Sequence, residues 1–206
     1  MAASLELEYP FAGRWLVRNS PADRVPSHGT TRFASSHAID FVPVDDAGRT
    51  APFTFASLLS PERPQRFPGF GRAIVAPVAG LIVAVHDSEP DHAAHRGVPS
   101  IGYAFTQSRR AAQGWIALAG NHALIDAGGV IVALCHLQQG SVAVRVGQQV
   151  RPGEAIGRCG NSGNSMQPHL HVQAVDRADI DRARAVPMTF SGGMPRNGQI
   201  VDAGAS

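Results

Sequence analysis

Between His122 and Arg158 the chain is cut into apolar runs too short for helices. His122–Asp126, Val130–His136, Val142–Val146 and Ala155–Arg158 follow one another, with Gly128, Gly129, Gly140, Gly147 and Gly153 in the gaps. Short apolar runs bounded by turn residues read as strands, and connections of this length join antiparallel neighbours. From Val146 to Gly157, Val/Ile and Gly recur at near-regular spacing, as in small twisted barrels. Upstream, Ala38–Val42 ends a first strand, and Ala76-Pro77-Val78-Ala79-Gly80 turns the chain into Leu81–Val85. With 22 glycines, 15 prolines and few aromatics, the composition suits strands and turns better than a helical bundle. The expected fold is mainly β: a small antiparallel, barrel-like sheet with long loops and a short helical segment near Asp179–Ala185.

A chain of 206 residues can bury one proper core, and a single domain over 1–206 is expected. Residues 1–27 read as an irregular N-terminal arm anchored by Phe11 and Trp15, and 176–206 as a tail. Residues 43–72 and 87–114 read as long surface excursions, the second with a short helix near Phe105–Ala112. Such loops are the usual place for substrate-binding residues on a rigid scaffold.

Several function classes are excluded. A formal net charge of +2 gives no electrostatic case for nucleic acid or an anionic membrane as partner. No apolar stretch is long enough to span a bilayer. The start of the sequence lacks the basic and apolar regions of a secretory signal, so the sequence leaves the location open. All 18 basic residues are arginine. Without lysine there is no Schiff-base or P-loop chemistry, and no attachment site for a lipoyl or biotinyl carrier. Cys135 and Cys159 either pair or sit as small buried apolar groups.

The chemistry concentrates in Gly160-Asn161-Ser162-Gly163-Asn164-Ser165-Met166-Gln167-Pro168-His169-Leu170-His171-Val172. After Pro168 the alternation of Leu170, Val172 and Ala174 reads as a strand. Two histidines one residue apart then project from one face. They can share a metal, or one can bind metal while the other handles a proton. The Gly/Asn/Ser loop before them allows close backbone approach to a ligand. His136 ends a strand whose alternation places it with Val130, Val132 and Leu134, and Cys135 opposite. His86, His92, His95 and His122 lie in or beside the polar loop or on a strand, where a solvated or core imidazole is the expectation.

Together, Ala76–Gly80, Gly120-Asn121, Leu134-Cys135-His136-Leu137, the Val146–Gly157 turns and Gly160–His171 resemble the lysostaphin/LytM-type zinc metallopeptidases of bacteria. The resemblance implies one zinc per chain, with His171 and an upstream aspartate, Asp40 of Ala38-Ile39-Asp40-Phe41, as ligands. It also implies catalytic roles for His136 and His169 beside the metal-activated water. The commonest pattern has a histidine four residues before the aspartate, a position held here by Ser36. One branch of the family uses a Ser-His pair farther upstream, which Ser27-His28 resembles, and His28 is favoured over His37 as the remaining ligand. Two imidazoles and a carboxylate with an open position make a catalytic rather than a structural zinc set. The implied activity is hydrolysis of peptide bonds in peptidoglycan cross-bridges or stems. The alternative is a degenerate module of the same fold that regulates other wall hydrolases, which candidates at all five positions argue against.

Overall fold

The computed structural model describes residues 4–52, 54–105, 110 and 112–204. Its strands are β1 (Leu5–Leu7), β2 (Gly13–Arg18), β3 (Ile39–Pro43), β4 (Ala73–Val75), β5 (Gly80–His86), β6 (Asn121–Asp126), β7 (Ile131–Leu137), β8 (Gln149–Val150), β9 (Ala155–Arg158), β10 (Leu170–Val175), β11 (Met188–Phe190) and β12 (Ile200–Ala203). Among the described residues, the short helices α1 (Val98–Phe105) and α2 (Trp115–Ala119) accompany them. Eight strands make one antiparallel sheet in the order β12-β2-β3-β10-β7-β6-β5-β8. Two small sheets, β1-β11 and β4-β9, complete the fold.

Alternation sorts the main sheet into two unlike faces. Val17, Phe41, Leu170, Val172, Val132 and Leu134 point one way and join Leu7, Ile74, Ile156 and Phe190 of the small sheets in the principal core. The other face carries a polar row. Cross-strand pairing aligns His86 with His122, His122 with Cys135, Cys135 with His171, His171 with Asp40, and Asp40 with Arg18. Directly opposed residues share a face, so six strands present their polar side chains along one line. One turn farther along, the same face is apolar, and Trp115, Ile180 and Ala34 cover it over Ile131, Ala133 and Val175.

Several expectations hold and several are corrected. Phe11 and Trp15 anchor the N-terminal arm, stacked 4.2 Å apart between ring centroids. The arm itself is not irregular: Trp15 and Val17 alternate inward on β2, which lies between β12 and β3. The strand expected over Val142–Val146 is absent, although Val144 is buried. Asp87 takes the Val142 N–H and Gln148 that of Arg145, leaving Ala143 to donate to Ile156 O. The helix expected over Phe105–Ala112 falls largely on 106–109 and 111, outside the described residues, and the described helix precedes it at Val98–Phe105. Near Asp179–Ala185 a short 3-10 turn forms over Ile180–Arg182. Cys135 and Cys159 are free, buried thiols in separate clusters.

The two excursions are tied to each other. Glu62 and Ala94 exchange backbone hydrogen bonds of 2.9 and 2.7 Å. The buried Glu62 carboxylate accepts from Arg96, whose guanidinium also lies over Phe67.

Because Trp15 is fully buried on a strand inside the sheet, Trp15→Ala should lower the unfolding free energy by about 3–5 kcal/mol. Urea titration measures this, and a change below about 0.5 kcal/mol would mean that the arm is dispensable to the core.

Candidate metal and catalytic centre

Asp40 sits on β3 directly opposite His171 on β10, with its side chain 9% exposed. His171 Nδ1 lies 2.9 Å from Asp40 Oδ1, and His28 Nε2 lies 3.1 Å from Asp40 Oδ2. His28, Asp40 and His171 form the group of potential metal donors found among the described residues, with ligand atoms all within 4.8 Å of one another. His37, the other candidate, ends the 3-10 turn at Arg32–His37 and is not in that group.

The hydrogen bonds around this trio decide where its protons lie. Gln173 Nε2 donates to Phe33 O, so Gln173 Oε1 faces His171 and accepts from its Nε2–H at 2.9 Å. That leaves the Nδ1 lone pair aimed at a carboxylate oxygen. Ser27 Oγ donates to Ser35 O and accepts from His28 Nδ1–H at 3.0 Å. The His28 Nε2 lone pair therefore points at the other carboxylate oxygen. Two lone pairs directed at the two oxygens of one anion repel unless a positive charge lies between them. A proton can serve, and so can a divalent cation; the donor set fits zinc. The outer hydrogen bonds are of the kind that orient metal-bound imidazoles. Asn19 Nδ2 completes the shell by donating to Asp40 Oδ2 at 2.7 Å.

The shifts agree with this geometry. Burial pushes Asp40 up, but the charges of His28 and His169, and hydrogen bonds from His171 and His28 when the nitrogens facing it carry a proton, outweigh it and hold Asp40 well below the usual range. Burial pushes His171 down, but Asp40 and Gln173 outweigh it and raise its pKa. Burial and the nearby imidazoles of His169 and His171 push His136 well below the ordinary value. Burial also lowers His169, partly offset by Asp40.

His136 and His169 stand beside the trio, their ring centroids 4.6 Å apart. His136 is 5.9 Å from His171 between centroids, and His169 Nε2 is 3.8 Å from Asp40 Oδ1. Simple alternation would have turned His136 toward the principal core with Leu134. It is instead the extra residue of a β-bulge: Asn121 pairs with Leu137 and His122 with Cys135. Its φ of 63° is left-handed, which a non-glycine residue adopts only when its surroundings hold it there. His136 Nδ1–H donates to Ser162 O at 2.9 Å. Ser162 is held in turn by Leu137 O and by the Asn121 N–H. Gly120 and Gly163 make this approach possible, since a Cβ on either would strike the other's backbone.

The sequence reading missed Asn19, Gln173, Ser162 and Asp91. Asp91 accepts the N–H groups of Asn161 and Gln139 and so ties the second excursion to the loop that precedes His169. Gln173 was findable, since it lies two residues beyond His171 on the same strand face. No local pattern marks Asn19, which reaches Asp40 only through strand pairing.

The profile of peptidase family M23 matches residues 68–182, more than half of the chain. The chain belongs to peptidase family M23. The matched span includes His136, His169 and His171, while His28 and Asp40 precede it. No curated protein matches this M23 chain. Among solved structures, an M23 protein of Pseudomonas aeruginosa is 20% identical at a TM-score of 0.41, over 84% of this chain and 46% of its own. The chain thus spans less than half of that protein. The catalytic domain of the antimicrobial peptidase lysostaphin from Staphylococcus simulans is 18% identical at a TM-score of 0.41, over 76% of this chain and 80% of its own. A prophage-encoded M23 protein of Enterococcus faecalis is 16% identical at a TM-score of 0.39, over 74% and 75%.

Elsewhere on this M23 fold, His122 packs edge-on against Trp115, 4.4 Å between centroids. An open pocket of about 380 Å³ adjoins them, bordered by Leu124, Ile180, Asp179 and Asp181, and contains none of the five site residues. Burial, with a smaller push from His86 and against a bond to Gly120 O, lowers the His122 pKa to about 4.

The linkage has a defined sign. An imidazole with a lowered pKa leaves the unfolded chain to take up a proton that the folded state refuses, so acid below about pH 6.5 favours unfolding. His171 acts oppositely, adding stability below pH 6.5 that is lost as pH rises through its raised pKa. Through His122, whose folded-state pKa is about 4, stability should fall from pH 6.5 to 4. His122→Phe should remove up to about 1.4 kcal/mol per pH unit of that slope. Urea unfolding at several pH values checks this, and an unchanged slope would contradict the assignment.

Proposed function

We propose that this M23 protein is a zinc metalloendopeptidase cutting peptide bonds of peptidoglycan, in cross-bridges or stem peptides. One zinc per chain would be held by His28, Asp40 and His171. The observation that carries this reading is the convergence of two oriented imidazole lone pairs on one buried carboxylate, with a second imidazole pair alongside. Bound there, zinc supplies Lewis acidity and lowers the pKa of a water to about 7.

The remaining steps fall to the protein. His169 Nδ1–H donates to Gln167 O at 2.8 Å, leaving Nε2 as the acceptor facing Asp40. His169 takes the proton of the attacking water, and the neighbouring carboxylate favours the resulting imidazolium. His136, with Nδ1–H committed to Ser162 O, also offers a lone pair. In that neutral form it would orient the water by accepting a hydrogen bond from it. The protonated ring then returns its proton to the leaving amine.

The excursions at 43–72 and 87–114 are proposed to wall the substrate groove. His95 N donates to Met166 O and Asn161 Nδ2 to His92 O, which sets the second excursion against the loop carrying His169. The degenerate-module reading predicts protein without metal.

Metal analysis of purified protein should find about one zinc per chain. His28→Ala should strip it and His37→Ala should leave it; the reverse result would move the ligand to His37. His136→Ala and His169→Ala should keep zinc while lowering hydrolysis of wall peptides by about 100- to 10,000-fold. Loss of zinc in either folded variant would overturn the division of roles.

A further inference from the structure

The sheet places two of the three proposed ligands and leaves the third to a loop. Asp40 and His171 are paired residues on β3 and β10. His28 precedes Asp40 by 12 positions and belongs to no strand. Its backbone hangs on the turn that follows: Ser27 N donates to Ser36 O, Ser27 Oγ to Ser35 O, and Ser35 Oγ to Arg32 O. The geometry of His28 is therefore as good as the placement of the Arg32–His37 turn.

That turn is not relaxed. Phe33 and Ala34 have φ values of 54° and 55° with ψ of 31°, left-handed backbone that neither residue type favours. Successive non-glycine residues stay in this region only when contacts elsewhere hold them. Such contacts exist. Ala34 is buried in the cluster with Trp115 and Ile180, Phe33 packs against the same cluster, and Phe33 O accepts a hydrogen bond from Gln173 Nε2 at 3.1 Å.

Gln173 is 2% exposed, and both ends of its amide are engaged. Oε1 accepts from His171 Nε2–H at 2.9 Å while Nε2 holds Phe33 O. One buried side chain thus joins the sheet ligand to the loop that carries His28. A glutamine suits both tasks because its amide carries an acceptor and a donor side by side. A carboxylate would keep the first bond and lose the second.

We infer that Gln173 is a positioning residue that latches the 27–37 loop onto His171, so that loop closure delivers the third metal ligand. This rests on the reading of His28, Asp40 and His171 as ligands, and its test is separable from that reading. Gln173→Glu keeps an acceptor for His171 and sets a carboxylate oxygen against Phe33 O. Gln173→Met keeps comparable length and removes both bonds. Arg32 is exposed within the turn, so trypsin cleavage after Arg32, followed by mass spectrometry on the metal-free protein, reports loop opening. Competition with a chromogenic chelator reports zinc affinity.

Both variants should accelerate cleavage at Arg32 by about tenfold, the factor implied by losing one buried hydrogen bond. Gln173→Met should also weaken zinc binding by about 10- to 100-fold, the usual effect of removing an outer-shell partner. Unchanged Arg32 protection in Gln173→Glu would overturn the latch and leave Gln173 merely orienting His171. Unaltered protection in both variants would overturn the latch and show that the turn is held without Gln173. If the wild-type protein bound no zinc, the ligand assignment would fail, while Arg32 protection would still decide the latch.

Discussion

A single carboxylate organises this molecule. Asp40 is buried on a central strand, and an isolated charge there would be expensive. Each of its oxygens instead meets an imidazole nitrogen whose other ring position is already committed, to Gln173 on one side and Ser27 on the other. Asn19 adds a donor from the end of β2. The arrangement is stable only with positive charge at its centre, which a proton or a divalent cation can supply, and its donor set fits zinc. It also explains why the N-terminal arm matters: β2 lies against β3, and both the register of Asp40 and the approach of Asn19 depend on it.

The second pair of histidines is built by a different device. His169 and His171 share a face through ordinary alternation, but His136 reaches the same place by breaking it. A bulge on β7 and a left-handed φ turn the ring out of the principal core. The cost of that backbone is met by packing around the Gly160–Ser165 loop, where Ser162, Asn121 and Asp91 leave few hydrogen-bonding groups to chance. The excursion bearing Asp91 is therefore structural in its first part, even if its farther residues select substrate.

These two devices mark what the sequence could reveal. Alternation made the strands around Leu81, His122, Val130 and Leu170 legible, and with them the shared face of His169 and His171. The family resemblance, rather than spacing alone, made Asp40 and His28 legible as candidates. Alternation could not reveal the bulge at His136, because a bulge is a property of pairing with β6 and leaves the composition of β7 unchanged. It misled at Val142–Val146, where the apolar pattern reports burial of Val144 while side chains intercept the backbone donors. It was passed over at Gly13–Arg18, where Trp15 and Val17 alternate properly amid a glycine-, proline- and arginine-rich arm. Gln173 was within reach of the same logic, since strand period alone puts it beside His171.

Dividing the three proposed ligands between a sheet and a loop has a thermodynamic consequence. Asp40 and His171 stay opposite each other as long as β3 and β10 pair, so that part of the site persists with or without a cation. His28 must be brought in against the entropy of closing its loop and the strain of two left-handed residues. A cation that binds all three groups stabilises the closed loop by the same free energy that closure adds to its own binding. Metal affinity and loop order are therefore one equilibrium seen from two sides. Gln173 is the residue through which each side would read the other, because its two hydrogen bonds end on the proposed ligand His171 and on the loop.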